Sequence, residues 1–175
     1  LLQGSGCPKN SRLARTSLLG QGQPFSDEEP LTAGNAAGTC LACRLDLHLL
    51  GRRTAAPILL DERVATADLG LDIAHVAGPW IEGWAATDLA ASEASLAIDG
   101  NVVARGHGQD VLGDPFAAVA WLARRLADQG SGLSAGDLVS MGSCSCSCTG
   151  LAQVLPGQTL LGGFGDLGAV SLRLC

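Results

Sequence analysis

Apolar positions in the second half of the chain fall into short, regular runs. Leu96 and Ile98 alternate with Ser95, Ala97 and Asp99, and Val102 to Ala104 forms a second strand-like run. Asp99-Gly100 lies between them and suits the positive φ angles of a two-residue turn, so residues 94–105 are predicted as a β-hairpin. Phe116, Val119, Ala120, Ala123 and Leu126 recur at three- and four-residue steps. That period predicts a helix over residues 115–129, with Phe116, Val119, Ala123 and Leu126 facing a sheet. Asp114 can cap its start, Pro115 fits the first turn, and Gly130 offers a left-handed stop. Asp137 to Met141, Thr159 to Leu161 and Ala169 to Leu174 read as strands. Pro156-Gly157 and Gly78-Pro79 read as turns, and Gly162, Gly163 and Gly165 as breaks.

The first sixty residues carry weaker signals. Leu45, Leu47 and Leu49 alternate with Asp46 and His48, predicting one strand near residues 44–50. Pro24 to Pro30 reads as an exposed loop, and Ile58 to Leu60 as a short apolar run. One long helix among many short strands predicts an α+β, β-rich domain with the helix packed across a sheet.

The chain has 175 residues, 47% of them hydrophobic and only 3% aromatic, so one aliphatic core is expected. No run reaches eighteen apolar residues, which argues against a transmembrane helix. The start of the chain lacks the order of a signal peptide, so a cytoplasmic location is expected. The formal charge is −6 with no basic block, which argues against a nucleic-acid partner. Charge is uneven: residues 1–60 hold six basic and four acidic side chains, and residues 61–175 hold five and thirteen. The seven cysteines are odd in number and lack a secretory context, so a disulfide framework is not expected.

Three segments then point to a family. Val111-Leu112-Gly113-Asp114-Pro115-Phe116 runs on to Trp121-Leu122-Ala123. Leu133 to Val139, with Gly136-Asp137, is followed by Gly142-Ser143 and Cys148-Thr149-Gly150. Val154 to Gln158, with Pro156-Gly157, is followed by Phe164 to Val170. In order and spacing, this stretch from Val102 to Leu174 resembles the 2-hydroxypenta-2,4-dienoate (2-keto-4-pentenoate) hydratase and 4-oxalocrotonate decarboxylase group of the fumarylacetoacetate hydrolase superfamily.

The resemblance implies a mixed, rolled β-sheet with one long helix across it, over residues 58–175, preceded by a poorly matching segment, residues 1–57. It implies a lyase, a hydratase or decarboxylase, acting on short 2-hydroxy-dienoates or 2-oxo-enoates of aromatic meta-cleavage catabolism. Mg²⁺ or Mn²⁺ is the implied cofactor, a small 2-oxo acid the implied partner, and a homo-oligomer the implied assembly. Gly142, Ser143, Thr149 and Gly150 stand at the substrate-binding positions. Met141-Gly142 replaces the family's Thr-Gly step, and Cys144 to Ser147 reads as an insertion. The family holds its metal with a Glu-x-Glu pair on a strand and a third acid further on. Cys43 and Leu45 fall at the pair's positions, and neither is a hard ligand. Lys9, the chain's one lysine, has no family-like surroundings that would mark it as the catalytic lysine. If those ligands are lost, no binding of Mg²⁺ or Mn²⁺ is expected, and a scaffold without catalysis is the alternative.

Other candidates stand beside this. Asp61, Glu62 and Asp68 could supply replacement oxygen ligands, or form a solvated face. Cys40-x-x-Cys43 with Cys144, Cys146 and Cys148 could hold a soft ion, Zn²⁺ or Cu⁺, making a soft-metal-binding protein the further alternative. His48, His75 and His107 stand singly in the sequence and read as solvated or packed, with His107 the first to mutate. The Gly162 to Gly165 stretch lacks the helix and Lys-Ser/Thr of a phosphate loop and reads as turns.

Overall fold

The computed structural model describes residues 12–22, for backbone pairing, and residues 32–53, 61–144 and 152–175 in full. Sheet A joins β3 (Asp72–Trp80), β2 (Cys40–Leu50), β1 (Arg12–Gly22) and β6 (Leu138–Ser143) in that order, and β7 (Ala152–Val154) also pairs β1. Sheet B joins β5 (Asn101–His107), β4 (Glu93–Ile98), β8 (Thr159–Gly163) and β9 (Ala169–Arg173). The ladders between these strands are antiparallel. A parallel bridge links Phe164 and Asp166. The α+β, β-rich architecture with one long helix matches the sequence expectation, and β1 and β2, from before residue 58, supply the middle of sheet A.

Local chemistry explains the elements that were legible. Asp99 and Gly100 both have positive φ, at 49° and 82°, and close the β4–β5 hairpin. Helix α3 spans Pro115–Ala127, with Asp114 Oδ1 accepting from the Phe116 N–H at 2.7 Å. Its end is closed by Gly130 at φ 70° and by the Ser131 N–H donating to the Leu126 carbonyl. Two shorter helices, α1 (Ala33–Thr39) and α2 (Glu62–Ala67), were not foreseen, because each has few residues and little apolar period. No helix among the described residues is long and apolar enough to cross a membrane.

The core lies between the sheets and under α3. Leu45, Leu47, Leu96, Met141, Leu160 and Phe164 are completely or almost completely buried. On α3, Phe116, Ala120 and Ala123 are buried and Val119 packs partly on the core. Phe116 also meets Trp84 at 5.6 Å between ring centroids. Leu126 is only half-buried, so the expected stripe closes one turn early.

Two turn assignments are corrected. Gly78-Pro79 does not end a run; β3 continues through it to Trp80. Glycine is needed there because a Cβ would fall 2.3 Å from Val170 Cγ2 and 3.3 Å from the Leu45 carbonyl oxygen. It marks close approach between the sheets rather than a change of direction. Gly162 and Gly163 likewise lie within β8, paired with Leu96 and Ser95, and Gly163 has no room for a Cβ beside Ser95 Oγ at 2.8 Å. The expected loop at Pro24 to Pro30 and the run at Ile58 to Leu60 lie outside the described residues.

Candidate functional site

The chemistry gathers on one face of the β2–β3 ladder. His48 and His75 are direct cross-strand partners. Asp46 precedes His48 by two residues and so shares its side of the strand. Asp72 and His75 are three apart, a spacing that a regular strand would put on opposite faces. A register shift between Leu49 and Leu50 places Asp72 opposite Leu50, on the His48 side, which is how a bulge re-aims a side chain. Arg53 fixes this corner. Its guanidinium binds Asp68 at 3.1 Å and donates to the Asp72 carbonyl. A second shift, between Arg44 and Asp46, places Trp80 opposite Arg44, whose guanidinium stacks 4.6 Å above the indole.

The resulting cluster is compact. His48 Nε2 lies 2.9 Å from Asp72 Oδ1, and His75 Nε2 lies 3.3 Å from Asp72 Oδ2. His75 Nδ1 lies 2.5 Å from Asp46 Oδ2, where the ring nitrogen donates and the carboxylate accepts. The two imidazoles stack at 4.1 Å with an interplanar angle of 18°. Asp46 is fully buried and His48 nearly so, whereas the Asp72 side chain is 40% exposed and that of His75 29%. The cluster is therefore anchored inside and open on its Asp72 side.

Electrostatics follow from this packing. The hydrogen bond to Asp46 holds His75 above the usual imidazole range. Partial burial works against that rise, and the charges of Asp46 and Asp72 add to it. His48, Asp72 and His75 offer one ligand atom each, all within 4.8 Å of one another, and form such a group among the described residues. The donor set suits a divalent cation.

The structure places the sequence candidates elsewhere. Cys43 and Leu45 are fully buried on the opposite side of β2 from Asp46 and His48. Asp61 Oδ1 caps α2 by accepting from the Val64 N–H at 2.8 Å. Glu62 is exposed in that helix's first turn. Asp68 is buried against Arg53, accepting from its backbone N–H at 2.8 Å. None of the three joins the cluster. His107 donates its backbone N–H to Asp110 at 2.9 Å at the start of a 3-10 turn. Cys40 and Cys43 bring their sulfurs within 3.5 Å, and Cys144 is buried. No group of three among the described residues joins those thiols. Cys146, Cys148, Thr149, Gly150 and Lys9 lie outside the described residues.

Of the positions that the resemblance implies for substrate, Gly142 has φ 105° and Ser143 is the last residue of β6. Ser143 Oγ is buried with no hydrogen-bond partner among the described residues. Through β1, Ser143 pairs with Ser17 and Ser17 with Asp46, so the two positions share one row of sheet A. Two strand spacings put their backbones about 10 Å apart.

Reading His48 and His75 as single histidines was therefore incomplete. The available signal was the pair of short motifs, Asp46-x-His48 and Asp72-x-x-His75. The alternation of leucines suggested a one-sided strand, whereas β2 is buried on both faces from Leu45 to Leu50.

Comparison with known proteins adds lineage to this geometry. The family described as fumarylacetoacetate (FAA) hydrolase C-terminal matches residues 57–174. A 2-keto-4-pentenoate hydratase from Burkholderia vietnamiensis is 48% identical over 56 residues, covering 32% of this chain and 21% of that protein. A 4-oxalocrotonate decarboxylase from Pseudomonas putida is 37% identical over 75 residues, covering 43% of this chain and 27% of that protein. The structure of 4-oxalocrotonate decarboxylase from Pseudomonas putida G7, complexed with magnesium and adipate, superposes with a TM-score of 0.83 at 21% identity. It covers 94% of this chain, which spans 61% of that one. A fumarylpyruvate hydrolase from Pseudomonas aeruginosa, in complex with Mn²⁺ and pyruvate, superposes at 0.69 with 20% identity, over 98% of this chain and 68% of that one. At these identities the structural likenesses show the fold.

Proposed function

Because the chain belongs to the fumarylacetoacetate hydrolase C-terminal family, we propose that it acts as a divalent-metal-dependent lyase on a short 2-hydroxy-dienoate or 2-oxo-enoate. The observation that carries this reading is the His48, Asp72 and His75 group, with Asp46 behind it. The resemblance implies a Glu-x-Glu pair on one strand and a third acid further on, and this chain has Cys43 and Leu45 at the pair's positions. On the opposite side of β2, His48 offers a ligand atom with Asp72 and His75 of β3, and Asp46 supports His75 from behind.

A bound divalent ion would polarise the 2-oxo group and stabilise the enolate that forms as the double bond shifts. The chain's own residues do the rest. His48, His75 and Asp72 hold the ion's protein side, and the open side of Asp72 and His75 admits the 2-oxo acid. Ser143, in the same row of the sheet as Asp46, and Gly142 before it contact the substrate, and the resemblance implies Thr149 and Gly150 as further contacts. Ser143 Oγ, buried and without a partner among the described residues, would donate to a substrate oxygen. The 4-oxalocrotonate and 2-keto-4-pentenoate names of the relatives support substrates of this class. The same reading proposes a homo-oligomer in the cytoplasm.

The test is turnover of 2-hydroxypenta-2,4-dienoate and 4-oxalocrotonate, followed by loss of dienoate absorbance with each divalent ion in turn. Activity that vanishes with a chelator, and in His48→Gln and His75→Gln, is the expected result. Turnover indifferent to chelation would overturn the lyase mechanism. A second reading is a scaffold that keeps the fold without turnover. It is favoured by Cys43 and Leu45, which stand at the implied glutamate positions and are fully buried. Metal binding with no reaction on either substrate would support it.

A further inference from the structure

We propose that His48, His75 and Asp72 form a site for a nitrogen-accepting first-row ion, such as Zn²⁺ or Co²⁺, in preference to Mg²⁺, with Asp46 as its positioning carboxylate. The assignment deepens the lyase reading and rests on the same cluster. Two Nε2 atoms converge on the two oxygens of one carboxylate, at 2.9 and 3.3 Å. The Nδ1–H of His75 is already given to Asp46, so a neutral His75 presents only a lone pair at Nε2. Protons on the imidazoles or one divalent ion can each bridge these nitrogens to the carboxylate, and a bound ion takes the place of those protons.

The spacing admits that ion. Ligands held about 2.0–2.2 Å from one ion sit roughly 2.8–3.6 Å apart at octahedral or tetrahedral angles. The nitrogen–oxygen separations, 2.9 Å to Oδ1 and 3.3 Å to Oδ2, fall in that range, while the three ligand atoms lie within 4.8 Å of one another, so the side chains close inward around the ion. Size alone does not separate Mg²⁺ from Zn²⁺, but chemistry does. Mg²⁺ seeks an octahedron of oxygens and keeps its waters, whereas imidazole favours later first-row ions. Two imidazoles and one carboxylate are a donor set of the second kind. The exposed edge at Asp72 leaves further positions for water or a chelating ligand.

Asp46 acts through His75. A fully buried carboxylate on Nδ1 fixes the tautomer and aims Nε2 at the ion, the arrangement that raises a ligand's basicity in many histidine sites. It takes no place among the ligands here.

Calorimetric titration of the chelator-treated chain decides the assignment, using Zn²⁺, Co²⁺ and Mg²⁺ in turn without substrate. Zn²⁺ and Co²⁺ should bind one per chain, about 100-fold or more tighter than Mg²⁺. His48→Gln and His75→Gln should each abolish most of that preference. Asp46→Asn should weaken Zn²⁺ binding by about 10–100-fold while keeping one site. The Co²⁺ visible spectrum of the unaltered chain should show nitrogen and oxygen donors and no thiolate charge transfer. A Cys40→Ser chain should bind Zn²⁺ unchanged. Mg²⁺ binding as tightly as Zn²⁺, a thiolate spectrum, or loss of binding in Cys40→Ser would overturn the proposal. Binding and turnover are separate readouts: tight Zn²⁺ binding without reaction would sink the lyase reading alone, and Mg²⁺ bound as tightly as Zn²⁺ by a chain that turns substrate over would sink the ion preference alone.

Discussion

His48 and His75 face each other across the β2–β3 ladder with their rings stacked 4.1 Å apart, and each is tied to an aspartate from the other's strand. His48 reaches Asp72 on β3, while His75 reaches Asp46 on β2. This crossed arrangement couples the two strands through four side chains. His75→Ala removes the imidazole from the buried Asp46 carboxylate and should cost about 1–3 kcal/mol in the metal-free chain. Asp46→Ala combined with His75→Ala should cost less than the sum of the two single changes, since the partners are lost together. Urea unfolding of the four chains of this cycle measures the coupling, and strict additivity would show that the contact contributes nothing.

Helix α3 offers a graded test of burial. Phe116 is buried against the core and Trp84, whereas Leu126 is half-buried beyond the end of the stripe. Phe116→Ala should cost about 3–5 kcal/mol, and Leu126→Ala distinctly less than the same range for a core leucine. Equal losses in denaturant midpoint would mean that the helix face is wrongly assigned.

Two glycines separate forgiving from unforgiving contacts. A Cβ at Gly108 would lie 1.8 Å from the Leu89 carbonyl oxygen, which is backbone and cannot step aside. At Gly78 the nearest atom is the end of the Val170 side chain. Gly78→Ala should therefore cost about 1–3 kcal/mol as an overpacked contact, and Gly108→Ala more. Val170→Ala should recover part of the Gly78→Ala loss and none of the Gly108→Ala loss. Thermal melts of the single and double variants check both statements.

Cys144 sets a limit at high pH. Burial raises its thiol from an ordinary 9.0 to about 12, with the Asp110 charge adding to the rise. The folded chain thus keeps a proton that the unfolded chain releases above pH 9. The sign follows: this contribution is fully present below the unfolded value and is lost as pH rises towards the folded one. Melting temperature should fall between about pH 9 and 11, and the fall should be shallower in Cys144→Ala. Cys144 should also resist iodoacetamide at pH 8 until the chain is unfolded, while the exposed Cys175 reacts. Peptide mapping after brief alkylation distinguishes them.

The amino-acid sequence by itself determined the elements whose signals are local. The Asp99-Gly100 hairpin and the Asp114-Pro115 helix start need only a few neighbouring residues to specify their backbone, and both stand where the pattern put them. The family's motif order was legible for a related reason, since it lies in one continuous stretch. The histidine–aspartate site was decided by tertiary structure. His48 and Asp72 are 24 residues apart, and His75 and Asp46 are 29 apart, so neither pairing has a local signature. Their meeting depends on the antiparallel register of β2 and β3, and on one shift in that register. Without the extra residue at Ile73, opposite Leu49 and Leu50, the period of β3 would turn Asp72 away from His75. The glycine at position 78 followed the same logic: a turn residue in isolation, it became a point of contact once β9 crossed over β3. Alternation along one strand says which residues share a face, but only the neighbouring strands decide what that face meets.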